Sequence, residues 1–220
     1  MVKIDLVTGF LGSGKTTFLK KYAKRLMEQG QNIGILENDF GAVNVDMLLL
    51  QELEGEQCEL EMISGGCDPE THRRRFRTKL IAMGMCGYDR VLVEPSGIYD
   101  MDEFFDVLHE EPLDQWYEIG NVIAVVDARL EDTLSPEAEY LLASQAANAG
   151  CMILSKCDTA TEEQRQNTIA HLKRSLAALG CKQRADQKIL CEGAEPLTDQ
   201  EFAAILSCGY YIASYEKPDF

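Results

Sequence analysis

One segment constrains this chain more than any other. Gly9-Phe-Leu-Gly-Ser-Gly-Lys-Thr16 fits G-x-x-x-x-G-K-[ST], and it lies between an apolar run of strand length, Ile4 to Thr8, and an amphipathic stretch that starts at Lys15. A strand, a glycine-rich loop and a helix in that order build a phosphate cradle. Gly12 and Gly14 let the backbone curl so that N–H groups along Gly12, Ser13 and Gly14 converge on phosphate oxygens, and the start of the helix adds its positive end. Lys15 would then reach the β- and γ-phosphates, the Thr16 hydroxyl would ligate Mg²⁺, and Thr17 would touch the α-phosphate.

The remaining sequence supplies the scaffold such a loop requires. Further apolar runs at Asn32–Glu37, Glu59–Ile63, Arg90–Glu94, Val122–Asp127, Cys151–Ser155 and Lys188–Cys191 alternate with helical stretches. Those stretches are Lys15–Gln29, Glu70–Met85, Met101–Glu110, Pro136–Asn148, Glu162–Leu179 and Asp199–Ser207. The alternation predicts an α/β fold of the P-loop NTPase kind, a doubly wound, mostly parallel sheet with helices on both faces. In the Glu162–Leu179 helix, Ile169, Leu172, Leu176 and Leu179 make one apolar stripe, with Thr161 as N-cap. With 220 residues and no repeat or linker, one domain over 1–208 and an aromatic tail over 209–220 are expected, the tail either packing back or serving as a docking strip.

Charge narrows the partners. Thirty-seven acidic against 21 basic residues leave a net charge of −16, which repels nucleic-acid backbones and anionic membranes. No apolar stretch is long enough to span a bilayer and no leader precedes the loop, so a cytoplasmic protein is expected. Eight scattered cysteines, none spaced C-x-x-C, then read mostly as small core residues.

Two later segments refine the chemistry. Glu94-Pro-Ser-Gly97 closes an apolar strand with an acid; its carboxylate would hold Mg²⁺ through water and the Gly97 amide would sense the γ-phosphate. Ser155-Lys-Cys-Asp158 follows another buried strand in the pattern [NST]-K-x-D. A carboxylate at Asp158 pairs bidentately with the N1–H and N2–H₂ donors of guanine, a donor pair adenine lacks. Lys156 would lie along the base plane and Ser155 would hydrogen-bond near it. These residues therefore favour GTP; a capped polar loop is the plain alternative.

Taken together these motifs resemble the metal-insertion class of P-loop GTPases, and within it the CobW-like proteins related to the urease and hydrogenase nickel-insertion GTPases. Thr8 to Thr17 resembles the subgroup's opening motif. Glu37-Asn-Asp-Phe-Gly41 with Asp46 resembles its first switch, Glu94 to Gly97 its second acid, Val125-Val-Asp127 its next strand, and Ser155 to Asp158 its base loop. The resemblance implies Mg²⁺-GTP hydrolysis coupled to handling of a metal or metal-bearing cofactor. Lys15, Asp39, Asp46 and Glu94 would be the catalytic set, Asp39 or Asp46 completing the Mg²⁺ shell or positioning water. A client metalloprotein or cofactor-dependent protein is the implied partner, and a nucleotide-dependent homodimer an option.

The sequence departs from that family in two ways. Its metal motif is G-C-x-C-C, whereas here Gly66-Cys67 continues as Asp68-Pro69-Glu70, leaving Cys67 with Glu37 and Glu70 as a mixed sulfur/oxygen set for Zn²⁺, Co²⁺ or Ni²⁺. A packing role for Cys67 is the alternative. At 220 residues, the subgroup's C-terminal domain is also expected to be absent or supplied by another chain. Clusters at Glu52–Glu61 and Arg73–Lys79 read as solvated faces that partly neutralise each other, or as a client-docking surface. The leading expectation is a GTPase that is slow without a partner and acts as a nucleotide switch, its 37–67 segment changing with nucleotide state. A nucleotide-gated scaffold with negligible turnover and a small-molecule kinase are the rivals.

Overall fold

The computed structural model describes residues 1–39, 45–64, 69–97, 99, 101–181 and 187–215; the side chains of residues 38, 39, 45, 46, 64 and 69 are outside that description. Its strands are β1 (Val2–Thr8), β2 (Ile33–Asp39), β3 (Cys58–Ser64), β4 (Arg90–Pro95), β5 (Tyr117–Asp127), β6 (Cys151–Ser155) and β7 (Lys188–Cys191). The helices are α1 (Lys15–Glu28), α2 (Val45–Leu50), α3 (Pro69–Gly84), α4 (Met101–Leu108), α5 (Leu113–Trp116), α6 (Pro136–Asn148), α7 (Glu162–Ala178) and α8 (Asp199–Leu206). Every strand and long helix expected from the sequence is present. The short helices α2 and α5 were not legible, because a single turn has no apolar period to read. β5 starts five residues before the expected Val122, since Glu118, Gly120 and Asn121 interrupt its apolar pattern. Tyr117 anchors that early start: its buried hydroxyl donates to Leu80 O at 2.8 Å.

Two compact units make up the chain: Met1–Val7 with Thr16–Gly120, and Thr8–Lys15 with Asn121–Phe220. In the first, parallel strands run in the order β3-β2-β4-β1. All six residues of β4 are buried, as a parallel strand covered on both faces requires. One polar network interrupts this apolar core. Arg90 Nη1 donates to both carboxylate oxygens of Asp5, at 2.7 and 2.5 Å, and Tyr22 adds a hydroxyl donor at 2.8 Å. A Cβ on Gly120 would stand 2.3 Å from Asp5 Oδ1, so the network needs glycine there. Arg73 pairs with Glu110, Lys79 with Glu61, and Glu52 with Lys20 and Lys24, which accounts for much of the two charge clusters.

The second unit holds the parallel strands β5-β6-β7. Ser135 caps α6 with Pro136 in its first turn, and Thr161 opens α7 with a reciprocal capping box to Gln164. The buried face of α7 differs from the expected stripe: Thr168, His171, Leu172, Ser175 and Leu176 are buried, whereas Ile169 and Leu179 are only half-buried. Two of its polar members share one partner, His171 Nε2 and Ser175 Oγ each reaching Glu139 of α6 at 2.6 Å. A purely apolar period could not reveal that face. The described part of the tail, 209–215, packs back through Asn148, whose carbonyl accepts from Tyr211 N at 2.9 Å and whose side chain meets Ala213 N and the Tyr215 hydroxyl. Tyr215 also stands edge-on to Tyr140.

The cysteines correct the sequence reading. Of the seven described, Cys58 and Cys151 alone are buried; Cys86 and Cys191 are exposed and the others lie between. Burial, with Glu54 nearby, pushes the Cys58 thiol up to about 11. Among the described residues no helix is long and apolar enough to cross a membrane.

The Asp5–Arg90–Tyr22 network predicts unequal costs. Asp5→Ala leaves a guanidinium buried without its carboxylate and should cost about 3–5 kcal/mol, against about 1 kcal/mol for Tyr22→Phe, which removes one hydrogen bond. Urea denaturation of both variants checks this; equal, small losses would show that water reaches Arg90.

Candidate nucleotide site

The site is built on the loop after β1. Gly9 has φ 147° and a Cβ there would fall 2.2 Å from Val125 O, so no other residue fits. Gly14, at φ 90°, lies against Ser155, whose Cβ would be 3.4 Å from an added Cβ. Ser13 N donates to Phe10 O at 3.1 Å, closing the turn, and Lys15 crosses back over it with Nζ 3.4 Å from the same carbonyl. Lys15 is 7% exposed, an unusual place for a lysine unless an anion is to share it.

The loop after β6 grips this turn. Ser155 Oγ donates to Ser13 O at 2.5 Å and lies 3.3 Å from Val126 O, and Lys156 Nζ donates to Gly12 O and to Asp127 Oδ2, both at 2.7 Å. Lys156 adopts φ 57°, a left-handed conformation rare for a side-chain-bearing residue, at the place where the backbone turns from strand to base loop. Burial works against charge on Asp127, but hydrogen bonds from Arg129 and Lys156 outweigh it and hold the carboxyl down to about 2. Ser155 is 2% exposed and its single O–H is engaged by the phosphate loop, so its role here is to hold that loop. Asp158 remains exposed, with its Cβ 3.2 Å from the position a Gly193 Cβ would take.

A second group of residues lies at the ends of β2 and β4. Thr16, in the first turn of α1 and next in the chain to Lys15, donates its hydroxyl to Glu94 Oε1 at 2.7 Å. Glu37 is the register partner of Glu94 on the adjacent strand, and both are 2% exposed. Two buried carboxylates and a hydroxyl at one end of a parallel sheet form an all-oxygen donor set of the hardness Mg²⁺ takes. The curled loop with its buried lysine likewise fits the phosphates of a nucleotide. Gly97 is buried and Thr17 exposed.

The transition-metal set does not come together in the same way. Glu70 is exposed in the first turn of α3, whereas Glu37 is buried beside Glu94; Cys67 and the side chains of Asp39 and Asp46 lie outside the described residues. Among the described residues no three His, Cys, Asp or Glu side chains group as a metal site. Sequence reasoning missed two contributors. Asp127 was read only as the end of a strand, although an acid ending an apolar run before a lysine-bearing loop was a usable signal. The Glu192–Gly193 turn, which receives Cys157 N on Glu192 O at 2.9 Å, has no motif to announce it.

Comparison with known proteins identifies the class. Residues 3–182 match the family described as CobW/HypB/UreG, nucleotide-binding domain, and the chain belongs to that family. It is 30% identical over 173 residues to the zinc chaperone YjiA of Escherichia coli K12, covering 74% of this chain and 52% of that protein. To the zinc chaperone YeiR of the same organism it is 28% identical over 167 residues, covering 76% and 50%. The chain thus spans about half the length of these curated relatives. The crystal structure of Zn(II)-bound YjiA GTPase from E. coli superposes with TM-score 0.56 at 20% identity, covering 100% of this chain and 66% of that one, which shows a shared α/β fold.

The Asp127 contacts predict a pH-dependent contribution. Its folded pKa of about 2 lies below the ordinary value of 3.8, so the stabilisation is present above about pH 4 and is lost as pH falls through 2. Asp127→Asn should cost roughly 1–2 kcal/mol at pH 7 after allowance for solvent screening, with the gap to the parent closing in acid. Chemical denaturation between pH 7 and 2 measures it, and a gap independent of pH would remove the ionic account.

Proposed function

We propose that this chain is a Mg²⁺-dependent GTPase domain that acts as a nucleotide switch in delivering a metal or metallocofactor to a client protein. The observation that carries this reading is the double grip of the base loop on the phosphate loop, Ser155 on Ser13 and Lys156 on Gly12. It supports the reading in which Asp158 would recognise the base beside a loop that would hold the phosphates. The backbone N–H groups from Gly12 to Lys15 and the Lys15 ammonium would bind the β- and γ-phosphates, and Thr17, exposed one residue past Thr16, would meet the α-phosphate. Thr16 and Glu94, already hydrogen-bonded, would hold Mg²⁺ through the hydroxyl and, by way of water, the carboxylate. When bound, that ion supplies charge neutralisation on the phosphates. Gly97, which is buried, would report the γ-phosphate through its amide.

Zinc is the metal this reading favours, since the relatives named above are zinc chaperones. Co²⁺ and Ni²⁺ suit the same mixed donors less specifically. Glu37 enters the proposal as the link between the two chemistries, because it is the register partner of Glu94 and also belongs to the Cys67 set named from the sequence. Asp39 or Asp46 would position the attacking water. Hydrolysis is proposed to be slow until a partner, a client metalloprotein or a second copy, completes the charge stabilisation. The setting proposed is the cytoplasm.

Turnover of GTP and ATP with Mg²⁺, with and without Zn²⁺, Co²⁺ or Ni²⁺, tests it. GTP should be preferred; Asp158→Ala should erase about tenfold or more of that preference while leaving Mg²⁺ dependence. Glu94→Gln should lower turnover by about 10²-fold or more. A metal response lost in Cys67→Ala would support cargo handling through that thiol. Faster ATP use by the parent protein would overturn the guanine assignment.

A further inference from the structure

α3 carries four arginines, and they divide between two of its faces. Arg73 Nη2 donates to Glu110 Oε1 at 2.7 Å, Arg77 Nε lies 3.0 Å from Glu110 Oε2, and Arg77 Nη2 donates to Glu111 O at 2.6 Å. This pair, spaced i and i+4, is therefore satisfied by the chain just past α4. Phe76, Leu80 and Met83 bury a different face in the core. Arg74 and Arg75 belong to a third face, and with Lys79 they line an open groove of about 480 Å³ against Met62 and Ile63 of β3. Both walls lie in the first compact unit, and β3 is the outermost strand of its sheet.

The groove combines positive charge with an apolar surface. Arg74 and Arg75 are exposed, and among the described residues Arg74 makes no ion pair. Lys79 shares its charge with Glu61 at 2.7 Å. Met62 is 39% exposed beside these cations. In a chain of net charge −16 such a wall is an exception. At physiological salt, charges more than about 8 Å away are largely screened, so a ligand in the groove meets the arginines more than the overall acidity.

We propose that this groove docks a short acidic segment of a partner protein, with one apolar side chain seated on Met62 and flanking carboxylates paired with Arg74 and Arg75. The guanidinium fork matches a carboxylate bidentately, and the methionine thioether adapts to apolar side chains of different shape. A nucleic acid fits less well, because a long polyanion would run past the two arginines onto an acidic surface. One apolar contact with exposed ion pairs gives weak, salt-sensitive docking, the kind a transient encounter uses. Docking here does not depend on the nucleotide chemistry, though it would give the proposed client its surface.

Fluorescence anisotropy tests this with the whole protein and a labelled peptide of about ten residues, glutamates on either side of a single leucine, read without nucleotide at about 50 and about 300 mM salt. Saturable binding with a Kd of about 10–100 μM is expected at low salt, weakened about tenfold at high salt, and a counterpart with lysine in place of glutamate should not bind. Arg74→Glu with Arg75→Glu should weaken binding about tenfold or more, and Met62→Ala about threefold. These side chains are exposed, and an unchanged urea midpoint shows that the fold is intact. Lys173→Glu with Arg174→Glu, an equal charge change at exposed positions of α7, should leave the Kd within about twofold. The proposal is overturned if both double variants weaken binding alike, since bulk charge then explains it, or if no saturable binding appears up to about 1 mM peptide. It is equally overturned if a single-stranded oligonucleotide binds more tightly than the peptide and is lost with the two arginines, or if sedimentation shows self-association through them. Because no nucleotide is present, the titration decides the surface whether or not the protein binds GTP.

Discussion

The glycine-rich loop after β1 depends on two of its backbone carbonyls being held by a loop distant in sequence. Ser13 O and Gly12 O face the Ser155 hydroxyl and the Lys156 ammonium, and these contacts span more than 140 residues of sequence. A glycine-rich turn is otherwise the most mobile kind of backbone, because glycine loses the most conformational freedom on folding. Bonding its carbonyls from outside keeps them away from an anion, while Ser13 N is engaged within the turn by Phe10 O. A single serine and a single lysine thereby do for the phosphate loop what strand pairing does for the sheet.

The same economy appears around the lysine. Lys156 reaches the turn only because its backbone is left-handed and because Asp127 accepts its second hydrogen bond, with Arg129 supporting the carboxylate from the other side. An ion pair of this sort adds modest stability, since about a third of the lysine side chain meets water. Its value is positional. The buried Asp5–Arg90–Tyr22 network is the opposite case, where the groups are dry and breaking the set costs far more than the set contributes.

Membership of the CobW/HypB/UreG family sets the nucleotide chemistry in context, and the G-C-x-C-C pattern of the resemblance is not met at Gly66-Cys67. Cys67 precedes Asp68 and Pro69, so any cargo site has fewer sulfurs and more oxygens than three thiolates would give. The described part of the molecule contributes Glu37, buried beside Glu94 at the same register. Two carboxylates so placed suit a hard ion better than a soft one, and this bears on how a nucleotide metal and a cargo metal would be told apart.

Much of the fold was legible from local rules. Each long helix and each strand announced itself by an amphipathic stretch or an apolar run, and Thr161 marked a helix start by capping chemistry alone. The phosphate loop was certain from eight residues, since their spacing has one physical use in a strand-to-helix turn. What sequence could not show was partnership between distant polar atoms. The stripe on α7 misled because His171 and Ser175 are buried against Glu139, a polar pairing that no apolar period encodes. Asp127 and Gly193 became visible as parts of the base loop's setting only through contacts made by folding. Cysteine exposure was similarly undecided, because burial belongs to the assembled strand edge and not to the residue type. The sequence by itself determined the class of fold and the phosphate chemistry, which follow from short-range backbone constraints. Tertiary structure alone decided that Ser155 serves the loop and that Glu37 lies with Glu94, because those facts depend on strand order and register.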